Sequence, residues 1–308
     1  MASVLVSGSS SVCRVGASVD RAHGAFLGLL CGDAAGATLE FARGVITEPH
    51  VSHAMTMPGG GVFGVGKGQI TDDSELALSL AHGLLGHRPS DGFPLESVAR
   101  RYAAWCDSKP FDIGRTCATA FGVEPDAGGN YAAVMTQTAA ASCCGSEANG
   151  SLMRIAPLAI WGVGESEDTI AALARTEATL SHPSQVCQDC NAVYCLMLEH
   201  LLRCPGDFRG ALSCGEQFVT TDVNSVNETY ERAIHQTLMK GGDTDTNAAI
   251  VGGLIGALHG VEAIPVRMRE AVLTFDASKP SATRRPRPEA YRGAQVTRLV
   301  EQLLGRED

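Results

Sequence analysis

Glycine recurs every fourth residue at Gly24, Gly28, Gly32 and Gly36, and again at Gly252, Gly256 and Gly260. That spacing places each set on one face of a helix. Inside a helix each glycine costs about 1 kcal/mol against alanine. Two helices that carry such stripes need a compensating gain. Close backbone approach is the natural source, by extension of the small-residue packing seen between membrane helices to a water-soluble core. The two helices are therefore expected side by side at the centre of the fold. If they run antiparallel, the end of the first, near Glu40, meets the start of the second, at Asp243 and Asp245.

Elsewhere the apolar pattern also has the helical period. Helices are expected over 21–37, 73–86, 95–105, 131–141, 151–160, 169–180, 185–202, 224–239, 246–259 and 291–304. In the second of these, Leu76, Leu80 and Leu84 mark one buried face. Alternation typical of strands is confined to a weak stretch at 45–57. The fold class expected is all-α, a single compact helical domain over 20–308 behind a disordered tail at 1–19. A chain of 308 residues, 44% apolar, is long enough to bury a large core. The proline- and arginine-bearing stretch 276–288 reads as an exposed loop.

Charge and cysteine usage narrow the class of partner. With 24 basic and 34 acidic residues the net charge is −10, which argues against gripping a nucleic-acid backbone. The 11 cysteines are odd in number and scattered, unlike a secreted disulfide framework. A cytoplasmic or other reducing compartment is the expectation. Cys187 and Cys190 form a lone CxxC near Cys195 and read as core residues, since no second ligand pair completes a zinc site. No apolar run reaches the roughly 18 residues of a membrane span. The serine-rich start, with no acids before Asp20, is unlike a secretory signal and leaves organelle import open.

Two segments carry more oxygen ligands than helix capping requires. One is Thr71-Asp72-Asp73-Ser74-Glu75; the other is Asp243-Thr244-Asp245-Thr246. A single acid suffices to cap a helix and favour its positive end. Crowded carboxylates repel, and a divalent cation relieves them. Carboxylate and hydroxyl oxygens suit Mg²⁺, Mn²⁺ or Ca²⁺ rather than zinc. Two such segments offer places for two ions. Three weaker elements accompany them. Asn149-Gly150-Ser151-Leu152-Met153-Arg154 is a loop able to present backbone N–H groups to a phosphate. Ser181-His182-Pro183 offers an imidazole at a helix boundary, and Asp112-Ile113-Gly114 a carboxylate beside a tight turn.

Taken in order, these elements resemble the ADP-ribosylglycohydrolase family. The likeness begins at Gly28-Leu29-Leu30-Cys31-Gly32-Asp33-Ala34-Ala35-Gly36 with Glu40-Phe41, runs through the five elements above, and spans about 21–260. It implies an all-α fold, a centre of two Mg²⁺ or Mn²⁺ ions, and hydrolysis of ADP-ribose linked to a protein side chain. On that pattern Thr71, Asp72 and Asp73 would bind one ion and Asp243 and Thr246 the other, with Asp245 between them. Asp112 and Glu40 would be the catalytic carboxylates. Asn149, Gly150, Ser151 and Met153 would hold the distal ribose and diphosphate, and His182 would contact substrate.

The partner implied is an ADP-ribosylated protein, with no nucleic acid and no membrane. Arginine is the favoured linkage, because Asp112-Ile113-Gly114 resembles the arginine-directed branch. A serine-linked or O-acetyl linkage is the alternative. Acidic rim residues such as Glu75 or Glu147 would suit a guanidine target. A crystallin-like or ADP-ribose-binding protein without catalysis is a further reading, disfavoured because every ligand type is present. A metal-stabilised helical protein with no nucleotide site is a third, opposed by the 149–154 loop and His182.

Overall fold

A computed structural model describes residues 18–215 and 229–306. Among these residues there are fourteen α-helices and no strand. In chain order they are α1 (Val19–Gly36), α2 (Glu48–Ala54), α3 (Asp72–Leu84), α4 (Leu95–Asp107), α5 (Arg115–Phe121), α6 (Tyr131–Ser142) and α7 (Ala156–Trp161). There follow α8 (Glu167–Ala178), α9 (Gln185–Arg203), α10 (Phe208–Gly215), α11 (Tyr230–Lys240), α12 (Thr244–His259), α13 (Val266–Thr274) and α14 (Val296–Leu303).

The glycine stripes meet as the spacing predicts. α1 and α12 run antiparallel, with Gly24 against Gly256, Gly28 against Gly252, Gly32 against Ala248 and Gly36 against Asp245. A methyl group added at any of the four α1 glycines would lie under 3.0 Å from backbone atoms of α12. Bare backbone also lets neighbours reach its carbonyls. The Tyr230 hydroxyl donates to Gly28 O at 2.6 Å, and the Tyr194 hydroxyl to Ile250 O at 2.9 Å. Close approach and these two bonds compensate the low helix propensity of glycine. The register carries the C-terminal end of α1 to the N-terminal end of α12, which brings Glu40 to Asp245.

α3 packs more deeply than its leucine pattern predicts. Ala77, Leu78 and Ala81 are as buried as Leu76, Leu80 and Leu84, so the helix is enclosed on all sides. The stretch 45–57, expected as a weak strand, holds the short helix α2 at its centre instead. Pro49 sits in the first turn of α2, and the Thr47 N–H donates to His50 Nδ1 at 3.2 Å, a local cap that outweighs a weak strand pattern. Residues 151–160 are broken: a 3-10 turn at Asn149–Ser151 precedes α7. The short helices α5, α10 and α13 carry too few turns for periodicity to reveal them. Most of the tail expected at 1–19, and 224–228 of the helix expected at 224–239, lie outside the described residues; Val19 already belongs to α1. Cys187 and Cys195 are buried but Cys190 is exposed, so the CxxC is only half core.

The 276–288 loop is less exposed than its charge implied. Arg287 is 4% exposed and meets Glu75 at 2.8 Å. Its guanidinium also donates to Ser108 O at 3.0 Å, while Glu75 accepts from Trp105 Nε1 at 2.7 Å. Glu75 therefore ties the loop to α3 and α4 and is not a rim residue. Removing one partner strands the other charge in the interior. Arg287→Ala is expected to lower stability by about 3–5 kcal/mol in denaturant titration. A loss under about 1 kcal/mol would show that water reaches Glu75.

Candidate metal centre and active-site cleft

The centre is built where α1, α3 and α12 converge. Asp33, one turn before the end of α1, is fully buried. It accepts from the Thr71 N–H at 3.0 Å, the Thr71 hydroxyl at 2.6 Å, and the Ser74 N–H at 3.2 Å. The Ser74 hydroxyl completes the set. Asp33 thereby clamps the start of α3 and sets the direction of Asp72 and Asp73. Carboxylate oxygens of Asp33, Asp73 and Asp245 all lie within 4.8 Å of one another. Those of Glu40, Asp112 and Asp245 form a second such group, so Asp245 belongs to both. The Thr71 hydroxyl stands 3.4 Å from both Asp73 Oδ2 and Asp245 Oδ2.

These carboxyls strain against protonation equilibria. Burial pushes the Asp72 carboxyl up to about 8, with the charges of Asp33 and Glu40 adding to it. Burial, then Asp72 and Glu40, push Asp112 up to about 9. Glu40, Asp73 and Asp245 also rise, burial being the largest cause in each. Asp73 Oδ1, Glu40 Oε2 and Asp112 Oδ2 are buried with no hydrogen-bond partner. Hard, crowded, under-satisfied oxygens fit divalent cations.

This crowding predicts a pH effect in metal-free protein. The ordinary aspartate value is 3.8, so between there and about 8 to 9 the folded chain holds protons on Asp72 and Asp112 that the unfolded chain has released. Their contribution is complete at low pH and is lost as pH rises through the folded values. In EDTA, the melting temperature is expected to fall from pH 6 to pH 9, and Mg²⁺ or Mn²⁺ to reduce that fall. Equal fall with and without ion would contradict the cation site.

A cleft of about 460 Å³ opens over the second carboxylate group, within the range of small-molecule sites. Glu40, Asp72, Asp112, Asp243, Asp245 and Thr246 line it from one set of elements. Asn149, Gly150, Met153 and His182 line it from another. The Asn149 side-chain amide donates to Asp243 Oδ2 at 2.8 Å, which joins the 149–153 turn to the start of α12. The Thr246 hydroxyl lies 3.9 Å from Met153 Sδ. Phe41, Phe63 and Phe111 form an aromatic edge, with Phe41 63% exposed at a φ of 52°.

Five of the residues expected from sequence lie off the cleft. Ser151 is 1% exposed and donates to Asn191 Oδ1 at 3.3 Å, so its hydroxyl serves the core and is not among the residues that line the cleft. Thr71 and Asp73 are buried and do not line the cleft, and Asp73 belongs to the first carboxylate group. Glu75 is held by Arg287, and Glu147, though exposed, is not among the residues that line the cleft. Sequence reasoning also missed Asp33 and Arg154 as site-building residues. The signal for Asp33 was an acid in the stretch 27–36, otherwise glycine, alanine, leucine and one cysteine, where an unpaired charge is costly.

The whole chain compares with proteins of known class. The model of the family described as ADP-ribosylglycohydrolase matches residues 16–228 and 210–307. The chain belongs to the ADP-ribosylglycohydrolase family. It is 32% identical over 276 residues to the ADP-ribosyl-[dinitrogen reductase] glycohydrolase of Rhodospirillum rubrum, covering 80% of this chain and 88% of that one. It is 27% identical over 301 residues to an ADP-ribosylarginine hydrolase of Pseudomonas putida (strain GB-1), covering 83% and 75%. A solved ADP-ribosylglycohydrolase-related protein complex superposes with a TM-score of 0.66 at 24% identity, covering 94% of this chain and 98% of that chain. That likeness supports the all-α fold. Family membership makes the protein an ADP-ribosylhydrolase, an enzyme that cleaves ADP-ribosyl linkages. No described helix is long and apolar enough to cross a membrane.

Proposed function

We propose that the protein is a metal-dependent hydrolase that removes ADP-ribose from arginine side chains of modified proteins. The observation that carries this reading is the pair of carboxylate groups that share Asp245, set under a cleft of ligand size. The relatives named for arginine linkage and for dinitrogen reductase support the choice of linkage and of a protein substrate.

Two divalent ions, Mg²⁺ or Mn²⁺, held by Thr71, Asp72, Asp73, Asp243, Asp245 and Thr246, would supply positive charge for ribose hydroxyls and for water activation. The reaction breaks the bond between the anomeric carbon and the guanidine nitrogen. Water adds to that carbon, and a proton passes to the departing guanidine. The transition state has oxocarbenium character, which nearby carboxylates stabilise. Asp72, Asp112, Asp243, Asp245 and Glu40 all line the cleft, and Asp112 and Glu40 are the two not assigned to an ion, so we assign them the movement of that proton. Asn149, Gly150, Met153 and His182 hold the distal ribose and diphosphate on the facing wall.

The test is release of free ADP-ribose from arginine-linked and serine-linked peptides in Mg²⁺, in Mn²⁺ and in EDTA. Metal-dependent release from the arginine peptide alone is expected. Release from the serine peptide alone would reassign the linkage. Release from neither by folded, metal-loaded protein would favour binding without catalysis.

A further inference from the structure

Behind the cleft wall lies a buried charged network that the reaction does not use directly. Arg154 and Glu177 are both fully buried and meet at 2.7 Å. Glu177 also accepts from the Tyr102 hydroxyl at 2.6 Å. Arg154 stands over the rings of Tyr102 and Phe121, 4.7 and 5.2 Å from their centroids. Its Nη1 donates to Gly150 O at 2.8 Å, and its Nη2 to Ser181 Oγ at 2.9 Å. Ser181 Oγ in turn lies 2.8 Å from His182 Nδ1. His182 is fully buried, yet its Nε2 has no partner.

The hydrogen-bond inventory decides which nitrogen of His182 carries the proton. A guanidinium only donates, so Ser181 Oγ is its acceptor. The serine hydrogen then needs an acceptor of its own, and His182 Nδ1 is the one within reach. Were Nδ1 protonated, the serine hydrogen would be stranded in the interior, which costs about 1–3 kcal/mol. The cation of Arg154 also prefers a lone pair, not an N–H, on its side of the ring. Burial and Arg154 together lower the imidazole to about 3, so it carries one hydrogen only.

Gly150 opens the other edge of the ring. A Cβ at this position would lie 2.9 Å from His182 Cε1 and 3.1 Å from Nε2. Glycine is required here by space, since no left-handed φ is present. We propose that Arg154 and Ser181 are positioning residues that fix His182 as the Nε2–H tautomer, which leaves a buried donor behind Gly150 in the cleft wall with no protein partner, free for an oxygen of ADP-ribose. The ligand identity rests on the functional reading above; the tautomer does not.

The ring nitrogens of ¹⁵N-histidine-labelled protein report the tautomer, and His182→Gln assigns the signal. Ligand-free protein is expected to show a protonated Nε2 and a bare Nδ1. Ser181→Ala is expected to give a mixture of tautomers, and Ser181→Thr, which keeps the hydroxyl, to restore the single form. A protonated Nδ1 in the native protein would overturn the proposal, as would an unchanged tautomer in Ser181→Ala. ADP-ribose is then added. A shift at Nε2 is expected, with Ser181→Ala binding about three- to tenfold more weakly, the loss expected for one hydrogen bond. Tautomer as expected but no ADP-ribose binding by metal-loaded protein would overturn the functional reading and leave the positioning role standing.

Discussion

Asp245→Ala is expected to lower ADP-ribose release at least about a hundredfold, the loss typical when one electrostatic stabiliser leaves an active site. Its carboxylate is common to the Asp33–Asp73 group and the Glu40–Asp112 group, so one substitution weakens both at once. Asp73→Ala removes a ligand from the first group alone and leaves the second intact. Calorimetric titration with Mn²⁺ should show both binding events weakened in Asp245→Ala and one in Asp73→Ala. In EDTA the Asp245→Ala protein should melt no lower than the parent, because a carboxyl whose ionised form is penalised by burial has been removed. Full turnover by folded Asp245→Ala protein would eliminate the shared-ligand arrangement.

The second large effect lies in the scaffold. Gly256→Val is expected to destabilise the protein by about 3 kcal/mol or more, since overpacking a tight interface forces backbone shifts. The added Cβ would fall onto Gly24 O, which belongs to a helix backbone and cannot rotate away as a side chain can. Gly145→Ala is the matched control. It has open space around it and is expected to change stability by no more than about 0.5 kcal/mol. Equal melting of the two variants would mean that α1 and α12 separate at little cost.

The same glycine spacing made the centre of the fold legible from sequence. Two stripes pointed to a side-by-side pair, because four-residue periodicity survives whatever surrounds it, and the antiparallel direction seen in the structure brings Glu40 to Asp245. The acids of the candidate centre were legible too, since Asp72-Asp73 and Asp243-Thr244-Asp245 exceed the needs of a helix cap. What stayed hidden depends on partners distant in the chain. Glu75 looks like one more surface acid until Arg287, 212 residues away, closes on it. Ser151 shares a loop with Asn149 and Gly150, but the 3-10 turn points it to Asn191. Asp33 stands in the first glycine motif with no task visible in sequence, because its role lies in the donors of Thr71 and Ser74. Local pattern names residue types; only the tertiary fold reveals which oxygens are already spent.

The pairing of α1 with α12 has a consequence for how the chain acquires its shape. The bond from the Thr244 hydroxyl to Gly36 O spans 208 residues, and the glycine contacts beside it span similar lengths. Contacts so distant in sequence slow folding, because chain entropy is lost before the contact rewards it. During synthesis α1 leaves the ribosome first, its glycine face bare and its half of the acid cluster incomplete. Asp33 and Asp73 wait for Asp245 until most of the chain has emerged. A nascent or truncated protein lacking α12 can neither cover that face nor assemble the shared carboxylate group, so the acid cluster is complete only once α1 and α12 have met.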